Sequence, residues 1–294
     1  MPTLTHPYTN LTGGLWLRGN LHAHTTRSDG RRSPQEVIDV YAALGHHFLM
    51  FSDHDCLATP EYYATLDAKN LLLIPGYEVT AQGPHLLHVN ADRFLTPHPQ
   101  RQQVINDCLA STGFIIANHP NWFASFDHTT LAQLREWTGY VGLEIYNGTI
   151  GRLDGSPYAT NKWDMLLAAG RRLWGFAHDD SHLATGDTGL GWNVAYVPSP
   201  ANVASVVEAL AAGRFYGSTG VVIKKFEVNG MHIRLETENA DRIVALKNTA
   251  KRFAQVDATT IEVDVPEDAT YVRFECWGRG EQFAWTQPFY VEKD

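Results

Sequence analysis

Basic residues are in short supply: 23 Lys and Arg stand against 32 Asp and Glu, a formal net charge of -9, and no basic cluster exceeds Arg31-Arg32, Arg171-Arg172 or Lys224-Lys225. A surface that tracks nucleic-acid phosphates is therefore disfavoured. Cysteine is scarcer still. Cys56, Cys108 and Cys276 are odd in number, far apart and without CxxC spacing, which leaves no disulfide framework and makes a reducing cytoplasm the default setting. No apolar run approaches the roughly 18 residues of a membrane span. Residues 1–10 have neither the basic start nor the apolar centre of a secretory signal. No Gly-x-Ser-x-Gly elbow is present, so nothing points to a serine nucleophile.

What the chain does hold is enough apolar material, 44% of 294 residues, for a large α/β domain with a small appendage. Up to about residue 212, short apolar runs alternate with helix-like segments. Strands are expected at 15–21, 47–51, 71–75, 85–91, 114–117, 141–146, 172–176 and 192–197. Ser33-Pro34 followed by Glu36 reads as the start of a helix running to about Leu44, and further helices are expected at 60–68, 98–112, 129–138, 157–169 and 200–212. Repeated strand-helix units imply a mainly parallel sheet, closed or distorted into a barrel. After Gly213 helical periodicity stops and short strands are expected at 223–228, 232–237, 243–247, 260–265, 271–277 and 283–291, with a hairpin at Asn229-Gly230. The domain reading is thus 1–212 for the hydrolase-like barrel and 213–294 for a β-rich domain.

The most informative tract is Asn20-Leu21-His22-Ala23-His24, followed by Asp29 in a Gly-containing turn. Alternation along a strand sets His22 and His24 on one face at its C-terminal end, a pair of metal ligands in waiting. Other metal-capable residues keep the same phase. Asp53-His54-Asp55, Glu78, His88, His119 and Asp180-Ser181-His182 each fall at or near the C-terminal end of an expected strand, and those ends converge on one face of a parallel barrel. A multinuclear metal site is the natural reading.

In order and spacing, His22-x-His24 with Asp29, Ser52-Asp53-His54-Asp55, Gly76-Tyr77-Glu78-Val79-Thr80, His85-Leu86-Leu87-His88, Asn118-His119-Pro120 and Asp180-Ser181-His182 resemble the motifs of the polymerase and histidinol phosphatase (PHP) family. The resemblance spans roughly residues 15–197. It implies a distorted (β/α)7 barrel with two or three divalent ions (Zn, Mn or Fe) and hydrolysis of a phosphoester by metal-activated hydroxide. It also implies the ligand sets: His22, His24, Glu78 and Asp180 around one ion, Asp29, His54 and His182 around a second, and Glu78, His88 and His119 around a third. Glu78 would bridge two ions; Glu78, His178 and Asp180 are the expected catalytic residues. Asp29 stands where some relatives carry histidine, and its harder oxygen favours Mn or Fe. His85 competes with His88 for the inward position, and the His-x-x-His spacing favours His88. The segments 213–220 and 284–289 resemble, more loosely, the branch of carbaryl-hydrolase-like proteins.

Several neighbours carry two readings. Asp53 and Asp55 either support ligand histidines or, for Asp53, ligate an ion directly and, for Asp55, cap a helix. His178 is either a proton donor to the leaving group or structural. His46, His47, His98 and His128 read as surface or packing residues. The rim segments Asn121 to Phe126 and Tyr146 to Gly148, with Trp192, are aromatic, while nearby cations are few: Arg27, Arg31, Arg152 and Arg171. A small-molecule ester with an apolar or aromatic leaving group fits such a rim better than a highly charged one. Two other readings stand beside it. One is a metal-dependent hydrolase of a carboxyl ester, amide or carbamate; the other is a non-catalytic metal-binding barrel.

Overall fold

The computed structural model describes residues 2–9 and 11–293. Strands Gly14–Asn20, Phe48–Leu49, Leu72–Leu73, Gly76–Val79, Leu86–Val89, Phe114–Ala117, Gly142–Asn147, Trp174–His178 and Trp192–Pro198 are interspersed with helices, although 72–73, 76–79 and 86–89 follow one another without one. The first helix, Pro34–Ala43, begins where expected, because Ser33 and Glu36 form a reciprocal capping box and Pro34 occupies the first turn. Gly76–Val79 was not expected as a strand of its own; Pro75 separates it from Leu72–Leu73.

The strands sort into mixed sheets and not into one continuous parallel ladder. Gly14–Asn20, Phe48–Leu49 and Leu72–Leu73 are parallel, with Trp192–Pro198 antiparallel to the first of them. A second sheet runs in the order 76–79, 86–89, 114–117, 142–147, 174–178. Its first pairs are antiparallel, contrary to the mainly parallel sheet expected from sequence. Residues 80–85 are too few for the crossover that a parallel pair needs, so the chain doubles back.

Where Trp174–His178 faces Trp192–Pro198, side-chain amides stand in for a ladder. Ala177 N–H donates to Asn193 Oδ1 at 3.1 Å and Asn193 Nδ2 donates to Ala177 O at 3.0 Å. Gln287 serves the backbone of Gly175 in the same way, at 2.9 Å in each direction. Beyond the strand ends an isolated parallel bridge joins Ala23 to Ser181. Segments 22–24 and 180–182 thereby lie side by side, which is what brings their histidines and aspartate together.

The C-terminal strands extend the larger sheet: Phe215–Ser218 pairs with Trp192–Pro198 and with Phe283–Trp285. Ile223–Asn229, His232–Thr237 and Thr260–Asp264 make a separate sheet whose first pair is the hairpin expected at Asn229-Gly230. The run 283–291, expected as one strand, forms Phe283–Trp285 and Phe289–Glu292, because Pro288 cannot donate to a ladder and Gln287 is drawn to Gly175. Thr3–Thr5 and Lys251–Val256 are strands that the apolar pattern did not mark. A buried ion pair fastens the two halves. Asp164, on helix Thr160–Ala168, accepts from Arg273 Nε at 2.7 Å, Arg273 Nη2 at 2.6 Å and the Tyr271 hydroxyl at 2.7 Å.

Candidate metal centre

His22 and His24 follow Gly14–Asn20, His54 follows Phe48–Leu49, His119 follows Phe114–Ala117, and Asp180 and His182 follow Trp174–His178. Glu78 sits inside Gly76–Val79 and is the hub of the group. Its Oε1 lies 3.4 Å from His22 Nε2, 3.3 Å from His85 Nδ1 and 3.3 Å from His119 Nε2. Its Oε2 lies 2.9 Å from His54 Nδ1 and 3.7 Å from His24 Nε2. Asp180 Oδ1 is a second hub, 3.0 Å from His22 Nε2, 3.1 Å from His24 Nε2 and 3.6 Å from His182 Nδ1. Asp29 Oδ1 lies 3.4 Å from both His54 Nε2 and His182 Nε2, and 3.7 Å from His24 Nδ1. Eight of the nine sequence-selected ligands are therefore brought together.

The ninth, His88, is not. In the ladder with Gly76–Val79 it pairs with Tyr77, while Glu78 pairs with Leu87. Cross-strand partners share a face and successive residues alternate, so His88 points away from Glu78. Its Nε2 lies 3.3 Å from Ser111 Oγ. His85 shares the parity of Leu87 and takes the place that the spacing had assigned to His88.

Sequence reasoning also missed Glu144, fully buried on strand Gly142–Asn147. Its Oε1 lies 2.6 Å from His22 Nδ1 and 2.8 Å from His178 Nδ1. Its Oε2 accepts from His119 N–H at 2.6 Å and Asn147 Nδ2 at 2.8 Å. The available signal was a single carboxylate between Leu143 and Ile145 in an otherwise apolar run. His178 has no exposed surface and does not line the cleft, so the structure puts it in the Glu144 network and away from any leaving group. His128 belongs to the site as well: its Nε2 accepts from His85 N–H at 2.9 Å.

The two aspartates beside His54 hold loops and not histidines. Asp53 accepts from Thr25 N–H, the Thr25 hydroxyl and the Ser28 hydroxyl, each at 2.8 Å. Asp55 accepts from Thr80 N–H, the Thr80 hydroxyl and Ala81 N–H, while Thr59 caps the following helix.

Burial alone would push the Glu78 and Asp180 carboxyls up. The histidines around each outweigh it and hold both well below the usual carboxylate range. Burial draws the His24 imidazole down to about 4. His54 goes the other way, up to about 10, because contacts with Asp29 and Glu78 overcome its desolvation.

Above the cluster opens a cleft of about 330 Å³, lined on its outer side by Trp122, Ile150, Leu153, Arg31 and Arg152. The other candidate cations point elsewhere. Arg27 donates to Leu57 O and stacks on Tyr62, and Arg171 donates to carbonyls at 134, 135 and 137. Trp192 lies beneath Arg18, whose guanidinium is 3.5 Å from its ring centre, away from the cleft.

The donor set suits divalent cations. His22 Nε2, His54 Nδ1, Glu78 Oε2, His85 Nδ1 and Asp180 Oδ1 are buried without a hydrogen-bond partner among the described residues, an arrangement that is costly unless a cation receives them. Groups of potential ligands within reach of one another include His24, Asp29, His54 and His182, and also His22, Glu78 and His119. Fold and site together define an α/β protein built around a buried histidine-carboxylate cluster that could hold metal ions.

Residues 20–154 match the family model of the PHP domain. Asp180 and His182 lie beyond the matched segment. The 3',5'-nucleoside bisphosphate phosphatase of Chromobacterium violaceum is 36% identical over 72 residues, 24% of this chain and 25% of that one; the match spans a quarter of the relative's length. A two-domain protein from Bacteroides vulgatus containing a predicted PHP-like metal-dependent phosphoesterase superposes with a TM-score of 0.57 at 17% identity, over 90% of this chain and 91% of that one. It shares the fold across both halves.

Proposed function

We propose that the chain is a metal-dependent phosphoesterase that hydrolyses a phosphate ester at a two- or three-ion centre. The observation that carries the reading is the set of buried, unpartnered ligand atoms on His54, Glu78, His85 and Asp180, which line an open cleft, together with that of His22 beside Glu78 and Asp180. His22, His24, Glu78 and Asp180 would hold one ion, Asp29, His54 and His182 a second, and Glu78, His85 and His119 a third. Divalent ions, when bound, supply Lewis-acid charge and lower the pKa of water. The chain's own part is positional. Glu78 and Asp180 set the spacing of the histidines, Glu144 orients His22, and Trp122, Ile150 and Leu153 offer an apolar wall to the organic portion of the ester.

Arg31 and Arg152 at the rim supply charge for a second anionic group, consistent with what the Chromobacterium relative's name says of its substrate. The wall favours an aromatic or apolar substituent beside the reacting phosphate. Asp29, the one oxygen ligand to the second ion, favours Mn or Fe over Zn. A distorted barrel over residues 1–212 with a β-rich domain over 213–294 is the architecture we assign, and three free, separated thiols suit a cytoplasmic enzyme. Among the described residues no helix is long and apolar enough to cross a membrane.

The test is turnover of nitrophenyl phosphate mono-, di- and triesters beside carboxyl esters and carbamates, with protein loaded separately with Zn, Mn and Fe. Phosphoester turnover that is lost in folded His22→Ala and Glu78→Ala is the expected result. Turnover of the carbon esters alone would replace the reading with a carbonyl hydrolase, and full activity in either variant would remove the centre from the chemistry.

A further inference from the structure

Arg101 is placed where elementary electrostatics would not put a cation. It is 1% exposed and has no carboxylate within ion-pair distance among the described residues. It is also the first residue of helix Arg101–Leu109, the end at which the macrodipole repels positive charge. All five of its N–H donors are nevertheless used. Nε donates to Pro84 O at 2.6 Å, Nη1 to Ala81 O at 2.9 Å and His98 O at 3.0 Å, and Nη2 to Thr80 O at 3.0 Å and Gly83 O at 2.8 Å. Four of these carbonyls belong to residues 80–84, the loop between strand Gly76–Val79, which carries Glu78, and His85.

The loop is shaped around this guanidinium. A Cβ at Gly83 would lie 3.1 Å from Arg101 Nε and 3.2 Å from its Cζ, so any larger residue there presses on the fork. Asp55 fixes the start of the loop at Thr80 and Ala81. The remainder is held by Arg101, up to the residue before His85.

We propose that Arg101 is a positioning residue for the metal centre: its guanidinium braces the 80–84 backbone and thereby sets the 3.3 Å approach of His85 Nδ1 to Glu78 Oε1. A planar five-donor fork can brace four loop carbonyls and one helix-side carbonyl at once. Lysine, with three donors on a flexible stem, cannot. The inference rests on the metal centre proposed above, but not on the reaction assigned to it.

The experiment is a titration of the full chain with Mn2+ alone, without substrate, following stoichiometry and affinity by calorimetry and metal analysis. It compares wild type, Arg101→Lys, Gly83→Ala, His85→Ala and the double variant His85→Ala/Arg101→Lys, with thermal melts to confirm folding. Arg101→Lys is expected to weaken one ion by about 10- to 100-fold, the usual effect of removing a group that orients a ligand, and to reproduce the His85→Ala profile. The double variant should bind no more weakly than His85→Ala, because the two changes act through one contact. Gly83→Ala, which keeps the charge and displaces the fork, should move in the same direction. Wild-type Mn2+ binding in Arg101→Lys and Gly83→Ala, or a double variant far weaker than His85→Ala, would overturn the assignment. A wild-type chain that binds no Mn2+ would overturn both this inference and the metal centre, whereas absent phosphoesterase turnover with normal Mn2+ binding would remove the reaction alone.

Discussion

Replacing Glu144 by glutamine changes one atom of the site and should weaken metal binding without unfolding the protein. Burial would raise the Glu144 carboxyl, but His22 and His178 outweigh it and keep the group ionised. An ionised carboxylate only accepts, so the Nδ1 atoms of His22 and His178 that face Oε1 at 2.6 and 2.8 Å must both carry protons. In the neutral form of His22 that can receive a cation, Nε2 is then the lone pair, on the side of Glu78 and Asp180. Glutamine keeps the shape but has one accepting oxygen and one donating amide. The Oε2 side faces the His119 backbone N–H at 2.6 Å, a donor that cannot change its role, so the glutamine oxygen must go there. Its amide is forced toward the two imidazoles, which must shift their protons to Nε2 to accept from it. His22 then presents N–H where a lone pair is required. Loss of an orienting partner typically costs about 10- to 100-fold in metal affinity, or about 1.4–2.7 kcal/mol. Calorimetric titration of Mn2+ into folded Glu144→Gln is the assay, and an affinity within twofold of wild type would refute the tautomer argument.

Other consequences are open to simpler measurements. Arg273→Met leaves Asp164 buried without its cation and should cost about 3–5 kcal/mol in denaturant unfolding; replacing both partners with apolar residues should recover most of that loss. Burial draws the His46 imidazole, packed against Tyr41 and Trp192, down to about 3. Below about pH 6.5 the unfolded chain takes up a proton there that the native one refuses, so stability falls with pH, by about 2 kcal/mol at pH 5 from this group alone. Stability curves at pH 5 and 7 should lie closer together in His46→Phe, and an unchanged gap would contradict the assignment. His88→Ala should leave metal content at the wild-type level, whereas His85→Ala should lower it; the reverse pattern would reinstate His88 as the ligand.

Most of the candidate ligands were legible because they are polar residues just beyond an apolar run; Glu78, inside Gly76–Val79, is brought to them by the parallel bridge between His54 and Glu78. What failed at His88 was register. His85 and His88 differ in strand parity, and their sequence spacing does not say which of them shares a face with Glu78; only the ladder with Gly76–Val79 decides it. Glu144 was hidden for the opposite reason: a carboxylate flanked by Leu143 and Ile145 reads as an interruption of an apolar strand until the imidazoles it serves, 122 and 34 residues away in the chain, are seen beside it. The seam closed by Asn193 and Gln287 could not be read either, since an amide that replaces a strand has no periodicity.

Arg101 and Lys162 left no motif because their partners are backbone carbonyls, which every residue offers. Lys162 donates to the carbonyls of Pro120, Phe126 and Thr129 at 2.6, 2.6 and 2.7 Å, holding a loop in which Phe123 and Phe126 adopt φ of 74° and 53°, conformations that persist only when their surroundings dictate them. The use of carbonyls has a physical reason. Near a centre built on Glu78 and Asp180, a loop cation that sought a carboxylate would compete with the ions for the ligands themselves. A buried cation saturated by peptide dipoles, like Arg101 or Lys162, can fix the loop and leave those carboxylates free. Loops and ligands are thus stabilised by separate partners, and a cationic side chain that stiffens the rim does so without neutralising the centre beneath it.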